Sequence, residues 1–483
     1  MALKRDLILV VGGRLVAALM ALVTIRMVTT FLTPEQFGEL ALLITIQMFC
    51  GLFLINPVGQ HINLHTHAWW DDGTLFARLK SYRRYILWVS LIGGVIAFSL
   101  QKQHSTNQTI FVTIAMFSMV IAGTWNATLI PMLNMLGFRG ASVLWSIVTI
   151  VLGLLSSIVL VLWLPSSSAW FAGQAMGMVV GAYGAKYVLS HHALHAKYSR
   201  EYLPLLSVST IRTYCLPLAV ATGLMWLQLS GYRFLIEHYW GLTQLGLLAI
   251  GLQLSGQIFA LAESLAMQFL YPLFYRRISN HEDVAEVELA LSDLLNTLVP
   301  LYFVLTGLVI FSAPYLLKIL VAPKFQNAII FVMLGAGIEL CRVLGNLLSN
   351  AAQIKRETKS LTLPYAVGSI TTLFLIYVVA VKHMDVSWSG VALLLGASAM
   401  LVVMTVKMYR QVRFILDIRR FIMAMIIMLA MASSVALIHK QASLMEAITM
   451  LLMITPVVGL IVITLLWKNP ATLRLINVKL RDY

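Results

Sequence analysis

The chain has 483 residues, of which 60% are hydrophobic and only 11% charged, with a formal net charge of +15. Soluble domains carry roughly 25% charged residues, so a water-soluble globular fold is excluded, and the mean hydropathy of +0.88 places the chain in a bilayer. The cysteines Cys50, Cys215 and Cys341 lie far apart in apolar segments, without metal-ligand spacing or an even count, which argues against a disulfide framework or a zinc site.

In chain order, mostly apolar stretches of about 20 residues, the length that crosses a bilayer, recur fourteen times. They run roughly over 7–32, 37–59, 85–100, 109–134, 142–164, 168–189, 207–229, 243–271, 295–320, 327–350, 361–381, 387–408, 419–438 and 446–467. The first follows Lys4 and Arg5, but it is too long for a secretory h-region and no small-residue cleavage site follows it, so it reads as a retained helix. The span at 85–100 is short, and Pro34 and Pro165 mark tight turns between neighbours.

Lysine and arginine set orientation, because short cytoplasmic loops carry an excess of both. With an even number of helices, both termini share one face. Taking that face as cytoplasmic puts 25 of the 34 Lys and Arg residues on it and 6 on the other, and leaves Arg14, Arg26 and Arg342 within the membrane. The bias holds loop after loop. The positive charge therefore reads as a topology signal rather than a nucleic-acid footprint, and the expected location is the cell inner membrane with both termini cytoplasmic.

The chain also pairs with itself. Residues 32–60 can be laid on 240–268 at an offset of 208, which brings Gln36, Gly38, Leu40, Ala41 and Gln60 onto Gln244, Gly246, Leu248, Ala249 and Gln268. A shift to 216 puts Asn126, Asn134 and Arg139 on Arg342, Asn350 and Lys355. Six helices is an even number, so the two copies keep the same orientation, a parallel repeat. The expected fold is an all-α polytopic membrane protein with a six-helix lobe at 1–190, a basic amphipathic linker at 191–206 along the cytoplasmic surface, a second six-helix lobe at 207–410, and two extra helices with a cytoplasmic tail at 411–483.

Ionisable residues at membrane depth are expensive and are functional candidates by default. Arg14 and Arg26 lie on either side of the midpoint of the first helix. Each either snorkels to an interface or forms a cationic wall toward a water-filled cavity, where arginine would fork onto phosphate oxygens. The tenth span carries Glu339, Arg342, Asn346 and Asn350, whose spacing of three and four residues gives one polar helix face. That stripe is either a self-neutralised Glu339–Arg342 pair with asparagines joining helices, or a binding surface. Asn126 echoes it on the fourth span, and Glu39 and Glu263 are the other embedded carboxylates, which with Glu339 are the candidates for ion coupling.

Other motifs are absent or bland. His191, His192 and His195 have no HExxH sequence or carboxylate set around them and read as a headgroup-facing cluster rather than a metal site. No GxxxxGK[ST] loop is present. The longest polar connections, near 61–84, 190–206 and 275–294, reach about 20 residues and leave no room for a catalytic domain. Neither an enzyme nor a cofactor is expected.

The basic start, the glycines Gly12 and Gly13 in the first helix, and the turn Phe31-Leu32-Thr33-Pro34-Glu35-Gln36-Phe37-Gly38, echoed by Gly241-Leu242-Thr243-Gln244-Leu245-Gly246, resemble the repeat-unit flippases of bacterial surface polysaccharides. These belong to the multidrug/oligosaccharidyl-lipid/polysaccharide exporter superfamily. The resemblance implies two six-helix lobes around a central cavity open alternately to each face, and an undecaprenyl-pyrophosphate-linked oligosaccharide as substrate. It also implies membrane lipid and other polysaccharide-assembly membrane proteins as partners. On that reading Arg14, Arg26 and Arg342 hold the pyrophosphate, with Asn126, Asn346 and Asn350 beside them. A lipid II or multidrug exporter of the same superfamily is the alternative, and a membrane polymerase or ligase fits less well because every periplasmic connection is short.

The orientation is directly testable. A reporter active only in the periplasm is expected to be silent when fused after Tyr483 and active when inserted near Ser166; the reverse pattern would overturn the span count.

Overall fold

The computed structural model describes residues 2–100, 105–192, 205–279, 283–355, 357–435, 443–467 and 469–477; of residues 2–11, 14, 15, 208 and 358 it describes the backbone alone. Most of the amphipathic linker expected at 191–206, and His195 within it, lies outside the described residues. Regular structure among the described residues is helical throughout. We number the helices α1 (Ala2–Phe31), α2 (Pro34–Asp71), α3 (Leu75–Leu100), α4 (Thr106–Met135), α5 (Arg139–Trp163), α6 (Ser167–His192), α7 (208–231), α8 (Arg233–Phe269), α9 (Tyr271–Ser279), α10 (Val284–Leu320), α11 (Ile329–Ile354), α12 (Thr362–Val381), α13 (Ser387–Gln411), α14 (Ile418–Ser434), α15 (Leu444–Leu466) and α16 (Pro470–Asn477).

Each of the fourteen apolar spans falls on one of these helices, with α9 and α16 as short additions. Among the described residues, ten helical stretches are long and apolar enough to cross a membrane by length and composition; one of them, Ile211–Phe269, contains two of the expected spans. Outward-facing side chains confirm the solvent. Trp88, Trp163 and Leu452 are exposed, and α15, apolar along its length, is left largely unburied by the rest of the protein. A helix apolar on all sides yet unburied by protein faces lipid. The fold is that of a polytopic all-α membrane protein.

Several helices outrun the apolar stretch that announces them. α2 continues to Asp71, α3 begins at Leu75 rather than near 85, and α10 begins at Val284 rather than near 295. Hydropathy marks only the slab of hydrocarbon, whereas backbone hydrogen bonding and caps decide where a helix ends. The start of α10 is capped by the Asp283 carboxylate, which accepts from the Ala285 N–H at 3.1 Å, and Glu286 in its first turn suits the helix dipole.

The turn motif has a local explanation. Thr33 caps α2, its hydroxyl accepting from the Gln36 N–H at 3.2 Å, while the Gln36 side chain accepts from the Thr33 N–H at 3.0 Å. Pro34 occupies the first helical turn, where its missing N–H costs nothing. Gln36 also donates to the Pro165 carbonyl at 2.9 Å, so the two proline turns are joined. In the echoing motif Gly241 breaks α8 with φ 81° and ψ 172°, a conformation open essentially to glycine alone.

The chain divides into two compact units, Met1–Gly246 and Leu247–Tyr483. Within the first, a side chain at Gly38 would strike the Leu242 carbonyl, and one at Gly246 would strike the Pro34 carbonyl. Positions 34 and 242, like 38 and 246, are 208 apart, so the two copies of the turn motif touch reciprocally. α6 presents Gly173, Gly177 and Gly181 at four-residue intervals to α5, where any side chain would meet Ser157, Gly153 or Thr149. Small residues let membrane helices approach closely enough for dispersion to hold them.

The second unit is organised around α10. Its Asp293, fully buried, accepts from Arg277 of α9 at 2.8 Å and from the guanidinium of Arg474 on α16. Burial alone would lower the Arg277 pKa, but Glu286 and Asp293 reverse this and raise it, so the guanidinium keeps its charge. One turn on, Asn296 donates to the Ile415 carbonyl at 2.9 Å and accepts from the Asp417 N–H at 2.8 Å. These bonds fix the start of α14 and the final helix to the unit.

Candidate functional site

A polar cluster at membrane depth lies between α8 and α11. The stripe Glu339, Arg342, Asn346 and Asn350 falls on one face of α11, as its spacing requires. Small residues bring α8 against that helix: Ser255 donates to the Val332 carbonyl at 2.7 Å, and a side chain at Gly251 would run into Phe331. Gly256 lies opposite Glu339, where a Cβ would come within 3.4 Å of the carboxylate. The glycine leaves that carboxylate its space.

Arg342 forks between two acids. Its Nε donates to Glu339 at 2.6 Å and its Nη1 to Glu263 of α8 at 3.0 Å. Asn346 donates to the other Glu263 oxygen at 2.8 Å. Arg342 is therefore compensated, and the pair envisaged within α11 is a triad with α8. Two carboxylates against one guanidinium leave the cluster one negative charge when all three are ionised. The side chains retain 24%, 18% and 16% exposure for Arg342, Glu263 and Glu339, so the triad is reachable. Nη2 of Arg342 makes no hydrogen bond to the described residues.

Asn350, at the end of the stripe, is almost fully buried. It accepts from the Tyr275 hydroxyl at 2.8 Å and donates to the Leu347 carbonyl at 2.8 Å and toward the Tyr271 hydroxyl at 3.4 Å. Tyr271 and Tyr275 are members of this cluster that sequence reasoning missed, because Tyr271 is the last residue of the eighth apolar span and Tyr275 falls in the polar connection beyond it.

The remaining candidates belong to the first unit. Asn126 donates to the Thr149 hydroxyl at 3.0 Å and the Met178 carbonyl at 3.3 Å, which commits its amide to the crossing of α4, α5 and α6. Glu39 accepts from the Ser167 hydroxyl at 2.7 Å, placing a carboxylate at the positive start of α6. Arg26 is half-buried on α1, its carbonyl accepting from the Thr30 hydroxyl. The side chain of Arg14 lies outside the described residues. A further arginine was hidden from the sequence: Arg233, apparently a loop residue, opens α8 and donates to the Ala41 carbonyl at 3.2 Å and toward the Thr45 hydroxyl at 3.4 Å, inside α2.

Breaking a buried ion pair by removing one partner leaves an uncompensated charge, at a cost of about 3–5 kcal/mol. Arg342→Met is expected to lower thermal stability in detergent by that order, and the triple change Arg342→Met, Glu263→Leu, Glu339→Leu to recover most of it. An unchanged melting point for Arg342→Met would show that the triad is not formed.

No family model matches the sequence, and no curated protein does. Among solved structures, the chain is similar to the lipid II flippase MurJ in an inward closed conformation, with a TM-score of 0.65 over 99% of each chain at 10% identity. It is also similar to a multidrug resistance MATE family transporter of the MOP superfamily. For the inward-facing form the TM-score is 0.53 over 89% of this chain and 99% of the other at 12% identity. The outward-facing form gives 0.53 over 89% and 97% at 13% identity. At such identities the likeness is one of fold: this chain has the polytopic helical fold of these transporters.

Proposed function

We propose that the protein is a flippase. It carries undecaprenyl-pyrophosphate-linked oligosaccharide repeat units by alternating access from the cytoplasmic to the periplasmic leaflet of the inner membrane, for surface polysaccharide such as O-antigen, capsule or exopolysaccharide. The observation that carries this reading is Arg342, held at membrane depth by Glu263 and Glu339 and still partly open, on a fold shared with a lipid II flippase over the whole chain. The lysine and arginine bias supports cytoplasmic termini.

In this mechanism Glu263 and the substrate pyrophosphate compete for Arg342. Protonation of Glu263 or Glu339 removes the excess negative charge and frees guanidinium donors for a phosphate, which accepts them bidentately. Loss of that proton restores the triad and expels the anion. The same cluster thus supplies the substrate handle and the coupling to a proton gradient. Arg14 and Arg26 on α1 serve as further cationic contacts, and Asn346, which bonds Glu263, shifts with it. The net negative charge of the cluster and the nearby Tyr271 and Tyr275 favour a second reading, an exporter of cationic amphiphiles, since carboxylates and aromatic faces both attract cations.

Arg342→Lys keeps the charge that the acids require but loses the fork, which makes it cleaner than alanine. In cells lacking the native gene, it is expected to reduce surface-polysaccharide export about tenfold, the effect of roughly 1.4 kcal/mol, at unchanged membrane abundance. Glu263→Gln should slow export and blunt its response to a pH gradient, and Arg26→Ala should abolish it. Normal export in Arg342→Lys and Arg26→Ala, with sensitivity to cationic drugs in cells lacking the gene, would overturn the flippase reading in favour of the exporter.

A further inference from the structure

The first unit contains a second polar site that the arginines do not explain. A cavity of about 290 Å³ opens between α2, α3 and α4, near the lower bound of roughly 300 Å³ for small-molecule pockets. Its polar lining residues are uncharged: Gln47, Asn56, Gln60 and Asn63, with Thr124 and Thr128. Asn56, Gln60 and Asn63 are spaced four and three residues apart and so share one face of α2. Carboxamides that merely join helices spend their donors on neighbours, as Asn126 does. Here, among the described residues, the contact is a single long one within α2, Gln60 to Asn56 at 3.5 Å.

Two observations mark the cavity as built for an occupant. Gly51 and Gly59 line the cavity inside helical segments, and a Cβ at either would meet nothing within 4 Å. Glycine in a helix interior costs about 0.5–1 kcal/mol relative to alanine, and no neighbour requires it at either place. Finally, α2 is wound as a π-helix over Phe49–Ile55 beside the cavity, with the Tyr85 hydroxyl donating to the Leu54 carbonyl at 2.6 Å; such segments concentrate at functional sites.

We infer that this cavity is a saccharide subsite, which holds a neutral sugar ring of the lipid-linked substrate. A hydroxyl-rich ring offers vicinal donors and acceptors that match carboxamides two at a time. An uncharged lining selects against anions and cations, for which the desolvation would go uncompensated. The inference rests on the flippase reading and adds to it a division of labour: cations for the pyrophosphate, carboxamides for the glycan.

Binding to the full-length protein in nanodiscs tests it, with two probes: bare undecaprenyl pyrophosphate, and the same lipid carrying a neutral disaccharide. The wild type is expected to bind the glycosylated lipid about tenfold more tightly. Gly59→Leu, which fills the cavity, and Gln60→Leu with Asn63→Leu, at its exposed rim, should each erase that preference and keep the wild-type affinity for the bare lipid. A preference that survives in the rim variant, or that disappears from both variants only together with bare-lipid binding, overturns the subsite. So does a wild type that binds both lipids equally. A wild type that binds neither fails the flippase reading itself.

Discussion

A bilayer offers a buried charge no counter-ion and a backbone amide no hydrogen bond, so a chain that lives there must supply both from within. That constraint organises what is seen. Regular structure among the described residues is helical throughout, and threonine hydroxyls inside the helices turn back on their own carbonyls, as Thr45 does to Ala41 and Thr66 to Ile62. Arg342 is tied to two acids. With no hydrophobic effect to press helices together, close contact falls to glycine, at Gly38 and Gly246 and along Gly173, Gly177 and Gly181.

The same constraint explains how much could be read in the sequence. Apolar length alone locates all fourteen spans, because nothing else in a chain needs about 20 apolar residues in a row. The turn motif was legible too. Thr33, Pro34 and Gln36 form a capping sequence whose logic is local, and the echo 208 residues on marks a place where the two copies meet. The polar stripe of α11 followed from spacing.

What stayed hidden lies beyond local pattern. Glu263 is 79 residues from its partner Arg342, and no periodicity announces such a pair. Arg233 read as a loop charge because it follows a break in the apolar run, yet its long side chain reaches back into α2. The face Asn56, Gln60 and Asn63 was visible as a helical repeat, but the apolar average that ended the second span near 59 cut it in half. The partners of Asn126, the Thr149 hydroxyl and the Met178 carbonyl, lie 23 and 52 residues away and were likewise beyond local pattern.

The triad gives the fold a chemistry that a purely cationic site would lack. Under the flippase proposal, an arginine facing phosphate with nothing to replace it would bind well and release badly, whereas carboxylates that compete for the guanidinium would make release part of the cycle. Movement of the lipid itself is the most direct test. Purified protein would be reconstituted in liposomes with an undecaprenyl-pyrophosphate-linked oligosaccharide in the outer leaflet only. Loss of the glycan from the reach of an external glycosidase would then be followed with and without a pH gradient. Expected is protein-dependent, saturable loss that accelerates with the gradient and loses that dependence when Glu263 and Glu339 are both glutamine; loss no faster than in protein-free liposomes would contradict the flippase.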